Sequence, residues 1–302
     1  MNDKFHGKEL RVFGVRQNLI GDQIMALPVL AWLRKMYPDC YIYWSISRKI
    51  AQAAPLYLNH DFIDQICVTD CEEGLGPRDL EIIKKCQIAF NTMPSHPDGD
   101  RAWVNDYNIY EETWRMAGLP ISEYRGLTPY EQRPHLTQWF NAERQTKGTI
   151  ALYPCSAYGV KQAWHSRFPT RDWYVKLIHR LTAEGYGVIQ FGHPNDYADC
   201  GGSLSRSTRA GDSRHLEFFS QIKLALGCDL AIVTDSGAGL VLGAYESIPT
   251  ISLLTPHTPG HVRNFEAFGM NSPLNKNFVG VDSADEISID EVVQAVKDRV
   301  SL

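Results

Sequence analysis

At 302 residues the chain has room for about two domains of ordinary size. Apolar residues make up 44% and charged residues 22%, which argues against long disorder, collagen and coiled-coil arrays. With 30 basic against 35 acidic residues the formal charge is −5, which argues against a general nucleic-acid binder while leaving room for a local basic cleft.

The first strand pattern is Leu10 to Arg16. A polar turn, Gln17 to Asp22, leads into a helical pattern with Ile24, Leu27, Leu30 and Leu33 at spacings of three, ending at Met36 before Pro38. Strand patterns follow at Cys40–Ser45, Ile63–Val68 and Gln87–Asn91, with helical stretches near 48–58 and 78–85 between them. Such alternation predicts a parallel sheet with helices on its faces. Residues 103–117 read as helical and 119–135 as loop.

A second series opens with a strand at Gly148–Tyr153. Thr170 can cap a helix running to Glu184 with Trp173, Leu177 and Leu181 on one stripe, and Gly185 stops it. Val188–Phe191 is the next strand, Leu216–Leu226 is helical, and Asp229–Thr234 is a strand running straight into another helix. Ile248–Leu254 reads as a strand, and Ser288 to Glu291 as a capping box opening a final helix. The division expected is an N-terminal, acceptor-side Rossmann-like domain at 1–140, a C-terminal nucleotide-sugar-binding Rossmann-like domain at 148–285, and a C-terminal helix at 286–302. The boundary is expected near 136–148, where Asn141–Gly148 is polar.

Seven cysteines are scattered with no Cys-x-x-Cys pair, and Cys67 and Cys71 lack a second pair to complete a zinc site. They read as reduced, mostly buried thiols of a reducing compartment. The polar first ten residues lack the apolar core of a signal peptide, and no apolar run is long enough to span a bilayer. The expectation is a cytoplasmic protein.

In open α/β sheets ligands bind at the carboxyl ends of the strands. Two strand-to-helix turns stand out there. In the first, Gly21 permits close backbone approach, and Asp22 is either a helix cap or a general base facing a cleft. In the second, Asp235-Ser236-Gly237-Ala238-Gly239 is either an anion site suited to a diphosphate or tight helix–strand packing by small residues. It is neither a Walker loop nor Gly-x-Gly-x-x-Gly, though Gly237, Gly239 and Gly243 are a loose echo. A third segment, Ser156 to Trp164, carries Lys161, either a phosphate partner or a solvated surface cation.

Asp196 could hold a ribose hydroxyl; His193, His257 and His261 sit in carboxyl-end loops. No His-Glu-x-x-His, Gly-x-Ser-x-Gly or strand-end Asp-x-Asp is present, which disfavours a hydrolase triad and a metal-dependent sugar transferase, and no metal ligand set is expected. Trp103, Tyr107, Tyr110 and Trp114, at helical spacing, read as core before sugar-stacking platform.

Together these turns carry a resemblance. Arg16 to Pro38, with Gly21-Asp22 and the apolar helix after it, resembles a motif of the glycosyltransferase family 9 proteins, the ADP-heptose:lipopolysaccharide heptosyltransferases. Tyr153 to Trp164 with Phe168-Pro169 and Trp173 is similar to the family's Lys-x-Trp-Pro segment, with Lys161 and Trp164 one residue further apart. Asp229 to Gly237, followed by Ile248 to Pro256, is the third match. The resemblance runs over roughly residues 10–280.

The resemblance implies a GT-B fold, α/β, with two Rossmann-like domains whose parallel sheets face across a cleft. It implies an inverting, metal-independent transfer of a heptose-like sugar from an ADP-linked donor to a hydroxyl of a glycan or other acceptor. The nucleotide sugar is a co-substrate, so no cofactor is expected. Asp22 maps to the general base, Lys161 to the cation near the phosphates, and Asp235 to Gly239 to the seat of the diphosphate. Gly21, Ser156, Asp196 and His257 complete the expected donor contacts. Leu240 stands where the family has His, so a phosphate-side contact is lost or replaced by His257, His261 or Arg263.

For a lipid-linked acceptor, transient contact with the inner membrane surface would follow. The alternatives are a non-catalytic nucleotide-sugar-binding module, or a nucleotide-sugar epimerase on the same scaffold.

Overall fold

The structure is a computed structural model. It describes residues 10–15, 20–53, 63–69, 75–91, 117–118, 122, 142–154, 168–192, 216–234, 236–244, 248–254 and 274–302. The chain divides into two compact units.

The first unit holds a four-stranded parallel sheet built from β1 (Arg11–Val15), β2 (Tyr41–Ser47), β3 (Gln65–Thr69) and β4 (Ile88–Asn91), in the order β3-β2-β1-β4. α1 (Ile20–Met36) joins β1 to β2, and its Val29, Leu30 and Leu33 are buried. A 3-10 turn (Arg48–Ala53) follows β2, and the short α2 (Pro77–Ile83) precedes β4. Asp79 is buried at the start of α2, where its carboxylate accepts from the Gly76 N–H and the Ser45 hydroxyl, each at 2.9 Å. A buried carboxylate is tolerable because these donors replace water.

The second unit holds five parallel strands: β5 (Thr149–Leu152), β6 (Gly187–Gln190), β7 (Leu230–Thr234), β8 (Thr250–Leu254) and β9 (Asn275–Val279), in the order β6-β5-β7-β8-β9. Every residue of β5, β7 and β8 is buried, as expected where helices cover both faces of a parallel sheet. The helices are α3 (Arg171–Ala183), α4 (Phe218–Leu226), α5 (Gly237–Ala244) and α6 (Ile289–Lys297).

On one face Ile150, Leu152, Val188, Leu230, Ile232, Ile251 and Leu253 form a core with Trp173, Leu177 and Leu181 of α3 and Val292, Val293 and Val296 of α6. These sheet residues alternate along each strand, so the residues between them point to the other face. There α5 packs on β7 and β8 and against α4.

Local chemistry sets the ends of these elements. Thr170 caps α3 by accepting from the Trp173 N–H, and Gly185, at φ +95°, turns the chain out of it, a conformation that favours glycine. Ser288 caps α6 by accepting from the Glu291 N–H at 3.3 Å. The Trp173 indole N–H donates to Ile287 O at 2.9 Å, tying α3 to the entry of α6. At the amino edge of the sheet, the Asp229 carboxylate accepts from the Gly148 and Thr149 N–H groups at 2.7 and 3.3 Å and pairs with Arg144.

Some expectations shift. α1 begins at Ile20, so Gly21 and Asp22 belong to its first turn, not to a preceding polar turn. Of the helical stretch expected at 48–58, Arg48–Ala53 is a 3-10 turn and 54–58 lies outside the described residues. β9 was not expected. The expected helix and loop at 103–135, with Trp103, Tyr107, Tyr110 and Trp114, fall almost wholly outside the described residues. Cys40, Cys67 and Cys228 are buried free thiols, as expected, and Cys86 is half-buried. Burial pushes the Cys67 thiol up to about 11 and Cys228 to about 12, which keeps both protonated and unreactive near neutral pH.

Candidate functional site

The second sheet has a topological switch point. From β5 the chain moves outward to β6, then returns to β7 on the other side of β5 and continues to β8 and β9. The carboxyl ends of β5 and β7 therefore lead to strands on opposite sides, the kind of place at which open α/β sheets bind ligands.

The amino end of α5 stands at that place. β7 ends at Thr234, and Ser236 immediately precedes α5. The Ser236 hydroxyl accepts from the Gly239 N–H at 3.2 Å, satisfying one of the donors that a helix start leaves without an intrahelical partner. Gly239 lies against β7: a Cβ added there would sit 2.4 Å from the Thr234 carbonyl oxygen and 3.3 Å from Val233 Cγ2. Close packing therefore explains the glycine. The anion-binding reading is compatible with it, because the same packing pins the helix start at the strand end. An amino end so placed, with its N–H groups and its dipole, favours a negatively charged group.

Two further features shape this edge. Tyr153, next after β5, stacks on Phe191, next after β6, with ring centroids 5.0 Å apart. Full burial pushes the Tyr153 phenol well above its usual range, so it stays neutral. Gln221 of α4 is buried; its Oε1 accepts from the Gly192 N–H at 2.8 Å, and its Nε2 donates to Gly192 O at 2.9 Å and Leu216 O at 2.8 Å. This clamp fixes the turn after β6, where Gly192 has φ +120°. Sequence reasoning passed over Gln221, because a glutamine inside a helical pattern signals only a polar position.

Of the residues expected to act, Ser236, Gly237, Ala238 and Gly239 stand together at the start of α5. Gly21 and Asp22 lie in the first turn of α1, and the Asp22 side chain is outside what is described. Ser156, Lys161, Asp196, Asp235 and His257 lie outside the described residues, as do His193, His261 and Arg263. Among the described residues no group of three or more His, Cys, Asp or Glu could hold a metal ion.

No protein-family model matches the chain, and no curated protein matches it in sequence. Solved structures do match it. ADP-heptose lipopolysaccharide heptosyltransferase II of Escherichia coli is similar at TM-score 0.66 and 15% identity, over 96% of this chain and 98% of that one. A glycosyltransferase family 9 protein of Veillonella parvula is similar at TM-score 0.66 and 18% identity, over 96% of each chain. A UDP-GlcNAc 2-epimerase of Methanocaldococcus jannaschii is similar at TM-score 0.51 and 10% identity, over 94% of this chain and 92% of that one. The fold class is α/β of the GT-B type, a fold that glycosyltransferases and epimerases share.

Proposed function

We propose that the protein is a glycosyltransferase that moves a sugar from a nucleoside-diphosphate donor to a hydroxyl acceptor. The observation that carries this reading is the start of α5, capped by Ser236 and held by Gly239 at the switch point of the second sheet. It is a seat for a diphosphate within a fold similar to that of an ADP-heptose transferase. An ADP-linked, heptose-like donor follows from the similarity and from the three sequence motifs together.

The reaction in this reading is inverting and independent of metal. The acceptor O–H gives its proton to the Asp22 carboxylate while its oxygen forms a bond to the anomeric carbon. The bond from that carbon to the diphosphate oxygen breaks, and its electron pair leaves with the diphosphate. Lys161 and the N–H groups at the start of α5 stabilise the leaving charge. No cofactor is needed, since the donor itself supplies the activated bond.

The acceptor is a glycan or another hydroxyl-bearing molecule, met in the cytoplasm or transiently at the inner membrane surface. No helix among the described residues is long and apolar enough to cross a membrane.

The test is ADP release from ADP-heptose in EDTA, against a panel of lipid-linked, protein and nucleoside acceptors. The wild-type chain transfers the sugar. Asp22→Asn lowers the rate about a hundredfold or more while ADP binding persists. An unchanged rate in Asp22→Asn would remove the base from the mechanism. Isomerised donor without acceptor would favour an epimerase, and binding without turnover a non-catalytic module.

A further inference from the structure

Gln221 of α4 occupies a position that packing alone would give to an apolar side chain. It is 5% exposed and shares the buried stripe of α4 with Ile222, Ala225 and Leu226. A polar group buried there is costly unless it is bonded, and burying a glutamine also gives up its rotamer freedom. Its amide is spent wholly on main-chain groups. Oε1 accepts from the Gly192 N–H at 2.8 Å, and Nε2 donates to Gly192 O at 2.9 Å and to Leu216 O at 2.8 Å.

These bonds join places far apart in sequence. Gly192 follows closely on β6 and Leu216 closely precedes α4, so one amide holds the chain where it leaves the second sheet and where it returns. Gly192 needs the hold. Its φ of +120° suits glycine, and glycine is also the residue with the most backbone freedom to lose. With its N–H and C=O both engaged, that freedom is removed. The turn is held sideways as well: Phe191, just before Gly192, stacks on Tyr153, just after β5. β5 is the strand at which the sheet order reverses, so the clamp stands beside the place where open α/β sheets bind ligands. A few residues beyond Gly192 the chain reaches Asp196, the expected ribose contact, which lies outside the described residues.

We propose that Gln221 is a positioning residue for the nucleotide: by locking Gly192 and Leu216 it sets the course on which the chain leaves β6 toward Asp196. This rests on the proposed reading of the second unit as the donor-binding unit. Gln221 touches no substrate in this role. The turn is ordered on folding instead of on binding, which spares nucleotide affinity that entropic cost. The start of α5 is pinned separately, by Gly239 against β7, so the diphosphate seat does not depend on the clamp. Sequence reasoning could not find this role, because the clamped groups are main-chain atoms of distant residues.

The test uses the full chain with Gln221→Met, which removes the amide at similar length, and Gln221→Glu, which keeps an acceptor for the Gly192 N–H and gives up the two donated bonds. Each is made alone and together with Asp196→Ala. ADP and inorganic pyrophosphate are titrated by calorimetry at a temperature where each variant is folded. Gln221→Met should bind ADP about tenfold more weakly and pyrophosphate as wild type does, with Gln221→Glu between the two. In the Asp196→Ala background most of that loss should vanish, since a residue acting through Asp196 is not additive with it. Should Gln221→Met fail to fold, Gln221→Glu carries the same comparison. Wild-type ADP affinity in the Gln221 variants would overturn the proposal, even with a lowered thermal midpoint, because the clamp would then serve the fold alone. So would an equal loss for pyrophosphate, full additivity with Asp196→Ala, or an Asp196→Ala chain that binds ADP as wild type does. Each of these leaves the donor reading standing as long as the wild-type chain binds ADP. If the wild-type chain binds no nucleotide, the donor reading fails and the role of Gln221 falls with it.

Discussion

Gly239 has no room for a side chain. A methyl group there would press on the backbone carbonyl of Thr234, which cannot rotate away as a flexible side chain could. Gly239→Ala should therefore lift the start of α5 off β7 and cost about 1–3 kcal/mol, seen as a lower midpoint in chemical denaturation. It should also weaken ADP binding, because the N–H groups move with the helix. A variant as stable as wild type would show that α5 is not pinned as described.

At this scale the sequence was partly legible. The run Asp235-Ser-Gly-Ala-Gly239 announced a helix start behind a strand, and Ser236 and Gly239 do what that pattern allows. Gln221 was not legible. Its importance comes from what surrounds it after folding, a turn to clamp.

Among the elements, α3 and α6 pack together over the sheet, and Leu177 is fully buried between them and the strands. Leu177→Ala should cost about 2–5 kcal/mol, measured by urea unfolding, through lost contact and the cavity left behind. A surface tie joins the same helices: Lys297 Nζ donates to Glu184 Oε2 at 2.8 Å. The hydrogen bond and charge of Lys297 lower the Glu184 carboxyl, and those of Glu184 raise the Lys297 amine.

The two shifts have opposite pH consequences. The Glu184 contribution is present above its unfolded-state pKa and fades as pH falls through the lowered value. The Lys297 contribution is present below its unfolded-state pKa and fades as pH rises through the raised one. Lys297→Met should thus lower the thermal midpoint slightly near neutral pH and converge with wild type in strong acid; a constant difference across that range would contradict the tie. Both groups are exposed, so the effect is small.

The helices α3 and α6 were legible because each has a cap residue and an apolar stripe. β9 was not, because Asn275-Lys-Asn-Phe-Val279 is a half-polar edge strand whose identity depends on its pairing with β8. The start of α1 was misplaced because Ile20-Gly21-Asp22 reads equally as turn or as first helical turn.

For the whole molecule, alternation of strands and helices gave two parallel sheets, and both are present. The strand orders were beyond the sequence, since they depend on which distant strands pair. The order β6-β5-β7-β8-β9 creates the switch point, and so the place where ligand chemistry concentrates. The expected site is legible on one side only: the start of α5 is described, whereas Lys161 and the Asp22 side chain lie outside the described residues.

In the reading proposed above, the second unit holds a nucleoside diphosphate without metal. The most direct measurement is a thermal-shift titration of the full chain with ADP, UDP, GDP and CDP in EDTA. Selective stabilisation by ADP is expected, worth about 2.7 kcal/mol at a hundred times its dissociation constant. No shift with any of the four nucleotides would contradict it.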